Sequence, residues 1–341
     1  MRKTAFLTII PALGLPALAL AGLATFGALM PESFPSKRTF ESMAFQMPEL
    51  GLLTLAMFLP FVSAGFNLSI IATANVSSLF MAWLWTSRIP ADAGAATQAV
   101  WLFLGFVGAC AVAAAIGAGI GAMAAYVGVH PTLTTLGVMT LLKGIGISLT
   151  RGAPITGMPP AVQFLGNGTF LGVPMPLAVF AAAALATALV LGKTSFGKYI
   201  YMIGSNINAA YYSGVATHQV LIGIYVFSSL MCALAGLVMT ARFNSARMGY
   251  GESYLLLTVL AIIMGGADPN GGFGKVWGVV LALFVLQIIS TGLTLYGVSQ
   301  HISLAMWGLV LILVLAVKYC NRRWYAPWAL RRQAEAVKAP A

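Results

Sequence analysis

"FVSAGFNLSIIATANVSS", residues 61–78, is the stretch on which the reading of this chain turns. It lies within a long apolar run, yet it carries Asn67, Ser69, Thr73, Asn75, Ser77 and Ser78 just after Gly65. The chain of 341 residues is 60% hydrophobic and only 7% charged, against about 25% charged in soluble globular chains. Its long apolar runs therefore read as membrane spans. A bilayer core about 30 Å thick takes about 20 apolar residues per helical span, and irregular backbone persists there only where protein covers it or it lines a cavity. The expectation is an all-α polytopic membrane protein with a helix broken near 63–70. A membrane β-barrel would need short alternating segments, and these runs are continuous.

Working outward, apolar runs separated by turn and charge signals place spans near 8–30, 49–65, 67–86, 98–127, 132–150, 176–192, 218–241, 254–265, 275–295 and 301–317. That is about ten. The first follows Arg2 and Lys3, and its apolar stretch exceeds the 7–15 residues of a signal-peptide core, so it reads as an uncleaved helix. With both termini cytoplasmic, eleven basic residues fall on the inner side: Arg2, Lys3, Lys193, Lys198, Lys275, Lys318, Arg322, Arg323, Arg331, Arg332 and Lys338. Six fall outside: Lys37, Arg38, Arg88, Arg151, Arg242 and Arg247. This bias follows the positive-inside rule, although the tail supplies much of it. The domain reading is a transmembrane unit over 1–317 and a basic cytoplasmic tail over 318–341. The net charge of +11 is thus placed by membrane topology and does not point to nucleic acid.

A second irregular segment, "IMGGADPNGGFGKVWG" at 263–278, resembles the first in placing small residues ahead of a carboxylate or carboxamide. It reads as a break near 265–274, and the pair suggests an internal repeat. Transporters use such breaks at substrate or gating sites, which makes Asn67, Ser69, Asn75, Asp268 and Asn270 the candidate path residues. Ser77 and Ser78 read better as groups joining helix to helix. Lys143, alone among basic residues in lying well inside a span, should face protein or water and find a partner there.

The longest inner loop, "GKTSFGKYIYMIGSNINAAYYSGVATHQ" at 192–219, imitates a phosphate-binding loop at Gly192 and Gly197-Lys198. Tyr199 stands where a magnesium-binding hydroxyl is needed, and a membrane helix rather than a β-strand precedes it, so the match to a phosphate-binding loop fails on both chemistry and context. Tyr199, Ile200 and Ile203, then Ala209, Ala210, Tyr212 and Ser213, flank the turn "GSN" in a short amphipathic pattern. Such a helix needs a cover, either the lipid interface or a partner. His130, His218 and His301 lie far apart, without zinc-type spacing. Cys110, Cys232 and Cys320 are scattered singly and read as small hydrophobes. No metal, cofactor or catalytic constellation is expected.

Five stretches in order carry a resemblance to a known family: "HPTLTTLGVMTLLKGIGISLTRGAPI" (130–155), "FLGNG" (164–168), "SFGKYIYMIGSNINAAYYSGV" (195–215), "ALAGLVMTARFNSARMGYGESYLLLTVLAIIMGGADPNGGFGKVWG" (233–278) and "STGLTLYGV" (290–298). The chain resembles the permease subunits of bacterial ABC sugar importers, the ribose permease family. The resemblance implies a multi-pass subunit of the bacterial inner (plasma) membrane that works beside a second permease subunit, in a homodimer or a related heterodimer. It also implies cytoplasmic ABC ATPase subunits, which bind the ATP, and a periplasmic or extracellular solute-binding protein. The loop at about 193–217 looks like the family's coupling element, with Gly197, Lys198, Tyr199, Ile200, Ile203, Gly204, Asn206, Ala209, Ala210, Ser213 and Gly214 as its residues. On this reading its aromatic and aliphatic side chains seat in a groove of the ATPase.

The departures are specific. Where the family usually has Gly-Gly-Ile-Asp-Leu-Ser-Val-Gly, this chain has "SAGFNLSIIA" (63–72), so Asn67 replaces an acid. Where Gly-Gly-Thr-Ser is usual, Gly265-Gly266-Ala267-Asp268 adds one. Neutral side chains that both donate and accept suit a polyhydroxylated solute, as Asn67, Ser69 and Asn75 would. Branched-chain amino acids or nucleosides are the alternative solutes. An ion-coupled secondary transporter is the more distant rival, with Asp268 its only candidate carboxylate.

Overall fold

A computed structural model describes residues 4–90, 94–170, 172–299 and 301–316. The basic tail at 318–341 lies outside these residues. The helices, in chain order, are α1 (Thr4–Leu29), α2 (Lys37–Val62), α3 (Ile70–Arg88), α4 (Ala95–Ala122, continued by a π turn at Met123–Val127), α5 (Pro131–Thr150) and α6 (Pro160–Asn167). There follow α7 (Met175–Lys193), α8 (Ser195–Ser205), α9 (Ile207–Tyr212), α10 (Thr217–Phe243), α11 (Tyr254–Met264), α12 (Val276–Leu295) and α13 (His301–Ala316). A helix stands at each of the ten expected spans. Seven are long and apolar enough to cross a membrane: α2, α3, α4 with its π turn, α5, α7, α10 and α12. Gly14–Leu29, Tyr254–Met264 and His301–Ala316 are shorter apolar segments.

Two details differ from the all-α expectation. Ile155–Thr156 pairs antiparallel with Ser245–Ala246, and Thr169–Phe170 pairs with Val173–Pro174. These two-residue ladders tie loops at the end of the bundle away from α8. The second helix also starts at Lys37, well before the expected 49. Its polar opening, "KRTFESMAFQMPEL", lacks the hydropathy of a span, but Ser36 caps it by accepting from the Thr39 N–H and Lys37 pairs with Glu41 at 3.6 Å one turn on.

The core is organised around α2 and α10. Helix α2 is buried along its whole length from Met47 to Val62. It runs antiparallel to α10: Glu49 lies 2.9 Å from Arg242 near one end, and Ser228 Oγ donates to the Ala56 carbonyl at 2.6 Å lower down. Helix α3 runs parallel to α10, with Asn67 beside Ser228 and Ser78 Oγ donating to the Gly236 carbonyl at 3.0 Å. Helix α4 closes on α10 through Gly117 and Gly121, where a Cβ would meet the backbone of Tyr225 and Ile222. With lipid tails as apolar as leucine, such close backbone approach supplies much of the cohesion between membrane helices.

Glu49 is fully buried and is held by Arg242 and by the Tyr254 hydroxyl, which donates to it at 3.3 Å, so one carboxylate joins α2, α10 and α11. Removing one member of a buried ion pair strands the other charge, at a cost of about 3–5 kcal/mol, whereas replacing both by apolar groups is often near neutral. The single variant Arg242→Met should therefore lower the melting temperature of the purified protein clearly, and the double variant Glu49→Leu/Arg242→Met should recover most of that loss in a thermal fluorescence scan.

Candidate functional site

Both expected breaks are present as irregular backbone, at 63–69 and 265–275. They are turns between antiparallel helices rather than interruptions of a single helix, because α2 and α11 arrive at the α8 end of the bundle and α3 and α12 leave it. The two turns begin alike. At the end of α2, Gly65 N–H donates to the Pro60 carbonyl and Ala64 N–H to that of Phe61, with Ala64 at φ 63°. At the end of α11, Ala267 N–H donates to Ile262 and Gly266 N–H to Ile263, with Gly266 at φ 93°. This is the Schellman cap, which needs one left-handed residue and favours glycine there. Ala64 takes that position at the cost of a Cβ against its own backbone.

The two turns meet each other and α8. Gly272 N–H donates to the Val62 carbonyl at 2.8 Å. A Cβ on Gly204 would overlap that same carbonyl and come within 2.5 Å of Gly272 N. A Cβ on Gly271 would lie 2.7 Å from Ala64 and 2.8 Å from the Gly204 oxygen. Three backbones therefore touch at a point where only glycine fits. Tyr201 of α8 adds a bond from its hydroxyl to the Gly274 carbonyl at 2.7 Å, and burial pushes that hydroxyl's pKa up, keeping it a donor. At the other end of α8, Gly197 lies against the last carbonyls of α7, and the Thr194 side chain caps it.

The coupling-loop candidates divide by face. Gly197, Ile200, Ile203, Gly204 and Ala210 are buried against the bundle. Lys198, Tyr199, Asn206, Ala209, Ser213 and Gly214 are exposed, and so are Met202, Tyr211 and Tyr212. The expectation that the aliphatic residues seat in a partner's groove is therefore corrected: Ile200 and Ile203 already fill the junction. Asn206 caps α9 by accepting from the Ala209 N–H.

The path candidates fall in three places. Asn67 and Ser69 are fully buried. Asn67 donates to Ser228 Oγ at 2.8 Å and accepts from both the Ser69 N–H and hydroxyl, at 3.1 and 2.6 Å. Their bonds hold the first turn together. Asp268 and Asn270 do the same for the second turn, where Asp268 accepts from the Asn270 backbone and side chain at 2.9 and 3.1 Å. Asn75 alone lines a cavity, of about 220 Å³, together with Leu68, Met139, Lys143, Met248 and Glu252. Lys143 has its partner there: Nζ lies 2.6 Å from Glu252 Oε1, with both side chains about half exposed. Glu252 was not singled out from sequence, since 109 residues separate it from Lys143. Among the described residues, no group of three His, Cys, Asp or Glu side chains could hold a metal ion.

The junction makes a sharp claim about one atom. Gly204→Ala should reduce the amount of folded protein recovered from the membrane several-fold, because the added Cβ meets backbone that cannot rotate away. Ser205→Ala, next to it and exposed, should leave yield and melting temperature unchanged.

Comparison with known proteins places these features in a family. Residues 39–315 match the family described as the branched-chain amino acid transport system / permease component. The ribose import permease protein of Bacillus subtilis is 36% identical over 187 residues, which is 54% of this chain and 58% of that protein. The autoinducer 2 import system permease of Photorhabdus temperata is 30% identical over 292 residues, 83% of this chain and 84% of that protein. Its counterpart in Yersinia enterocolitica is 31% identical over 292 residues, 83% of this chain and 85% of that protein. No solved structure matches. With the family match spanning residues 39–315, which includes both turns and α8, this chain belongs to the family of membrane permease components of the branched-chain amino acid transport system type.

Proposed function

We propose that this chain is the membrane-spanning subunit of an ABC importer that forms the path for a sugar or sugar-like solute. A separate ATPase energises it, a soluble binding protein feeds it, and a second permease subunit stands beside it in the bacterial inner membrane. On the reading of ten spans with both termini cytoplasmic, α8, α9 and the two turns lie on the inner face, where an ATPase would dock. The observation that carries this reading is the junction of α8 with Val62 and Gly272. A helix outside the spans that shares backbone contacts with two turns inside the bundle is suited to pass a force inward.

The exposed face of α8 and α9 meets the ATPase through Tyr199, Met202, Tyr211 and Tyr212. Its buried face passes the displacement to the ends of α2 and α12. Inverting a two-state equilibrium from 1:99 to 99:1 needs about 5.5 kcal/mol of differential binding, which docking of partners on opposite faces can supply jointly. Names of the relatives, for ribose and autoinducer 2 import, favour a polyhydroxylated solute; the family's description keeps branched-chain amino acids as the second reading. Nucleosides are a third possibility. An ion-coupled carrier fits less well, because Glu49 is already neutralised by Arg242 and Asp268 is engaged within its turn.

Co-expression with the neighbouring ATPase and affinity purification through this chain should recover the ATPase. Tyr199→Glu/Met202→Glu should lose it while leaving the permease folded, since both side chains are exposed. Reconstituted with its partners, the permease should take up solute only with ATP. Uptake by the isolated chain on a proton gradient without ATP would contradict the proposal.

A further inference from the structure

Besides the Asn75 cavity, a cleft of about 720 Å³ opens on the α8 side, lined by Ser63, Ala64, Val129, Pro131, Asn206 and His218 among others. No residue lines both spaces. Along the first turn, Ser63 and Ala64 face the cleft and Leu68 faces the cavity, so Gly65–Asn67 stands between them. Along α5, Pro131 lines the cleft, and Met139 and Lys143 line the cavity. Pro131 and Met139 are eight residues apart with Thr135 midway, and Lys143 follows four residues after Met139. A four-residue step is a little over one helical turn, about 6 Å along the axis, so Thr135 shares their face at the level of the closure.

Thr135 is fully buried and binds the turn at two points. Its hydroxyl proton is shared between the Phe66 carbonyl and the Thr132 carbonyl of its own helix, each at 3.1 Å, and its oxygen accepts from the Leu68 N–H at 3.2 Å. These are the backbone groups on either side of Asn67. One side chain of α5 therefore satisfies irregular backbone that would otherwise be orphaned between the two spaces. The opposite side is held by Asn67 on Ser228. The Tyr225 hydroxyl, buried and without a hydrogen-bond partner among the described residues, lies 2.9 Å from where a Gly65 Cβ would stand. It is a donor left unused by the present position of the segment.

We propose that Gly65–Leu68 is the gate between the Asn75 cavity and the α8-side cleft, and that Thr135 is the positioning residue that latches it shut. The proposal rests on the importer reading for the direction of traffic. Each latch bond is a single neutral hydrogen bond, which keeps the closure reversible. A displacement of Val62 through α8 acts on the chain three residues before Gly65, so the latch lies where an inward-transmitted force would act on it.

The test is sided labelling of the full chain in membrane vesicles, with its native cysteines replaced by alanine and a single cysteine introduced as Val129→Cys or Met139→Cys. A membrane-impermeant maleimide should reach V129C only in inside-out vesicles and M139C only in right-side-out ones. Thr135→Val, which keeps shape and removes both bonds, should raise labelling of M139C from the α8 side at least tenfold. Thr135→Ser should behave as the parent. Ser228→Ala, which frees Asn67 from the other side, should raise it in the same direction and serves if the valine variant is not recovered. Labelling of M139C from both sides in the parent, or no change in T135V and S228A alike, would overturn the gate. Labelling needs neither ATP nor solute nor a partner, so a failure of the importer reading would not imitate either result.

Discussion

Backbone that leaves a helix within a membrane has no water to bond with, and every N–H and C=O so released must find a partner in the protein. In this chain the two irregular turns are joined by one contact, in which the N–H of Gly272 bonds the carbonyl of Val62 while Gly204 of α8 lies against both. One hydrogen bond ties the two turns together, and α8 is packed into their meeting point. Displacing α8 alone would break its backbone packing on both turns and the Tyr201 bond to the Gly274 carbonyl, so these three elements are expected to travel together.

The polar residues of the opening stretch follow from the same demand. Asn67 and Ser69 are not spare hydrogen-bonding groups offered to a passing solute; with Ser228 and Thr135 they satisfy the turn that carries them. An acid in place of Asn67 could accept these bonds from Ser69 but could not donate to Ser228 unless protonated. The amide therefore suits this position in this chain. Asn75, two turns further along α3, is the residue of the group that reaches a cavity, and Lys143 and Glu252 give that cavity a compensated pair of charges.

Much of the fold was legible in the sequence because hydropathy reports apolar helices directly: a helix lies at each of the ten apolar runs, and seven of these helices are long and apolar enough to cross a membrane. Glycine reported the two turns, since it is required where φ is positive or backbones touch, as at Gly266, Gly271 and Gly272. The start of α2 was not legible, because a capped, charged first turn and Pro48 resemble a loop. The face of α8 was misread in part, since an amphipathic pattern shows that a helix needs cover but not which partner gives it. Thr135 was hidden among "TLTT" in α5, where a threonine usually bonds its own helix. The ion pairs Lys143–Glu252 and Glu49–Arg242 join residues more than a hundred positions apart, and only the packing of the bundle brings them together.

The claim beneath all of this is that α8 and the two turns form one rigid body within a bundle that rearranges around it. Spin labels placed on exposed positions at the C-terminal cap of α9 and in the second turn, at Ser213 and Asn270, report it in the reconstituted complex through pulsed dipolar distance measurement. The predicted result is a single narrow distance, unchanged on adding a non-hydrolysable ATP analogue, while a pair at Ser213 and Leu149 on the far end of α5 changes. A Ser213–Asn270 distance that shifts or splits with nucleotide would contradict the account.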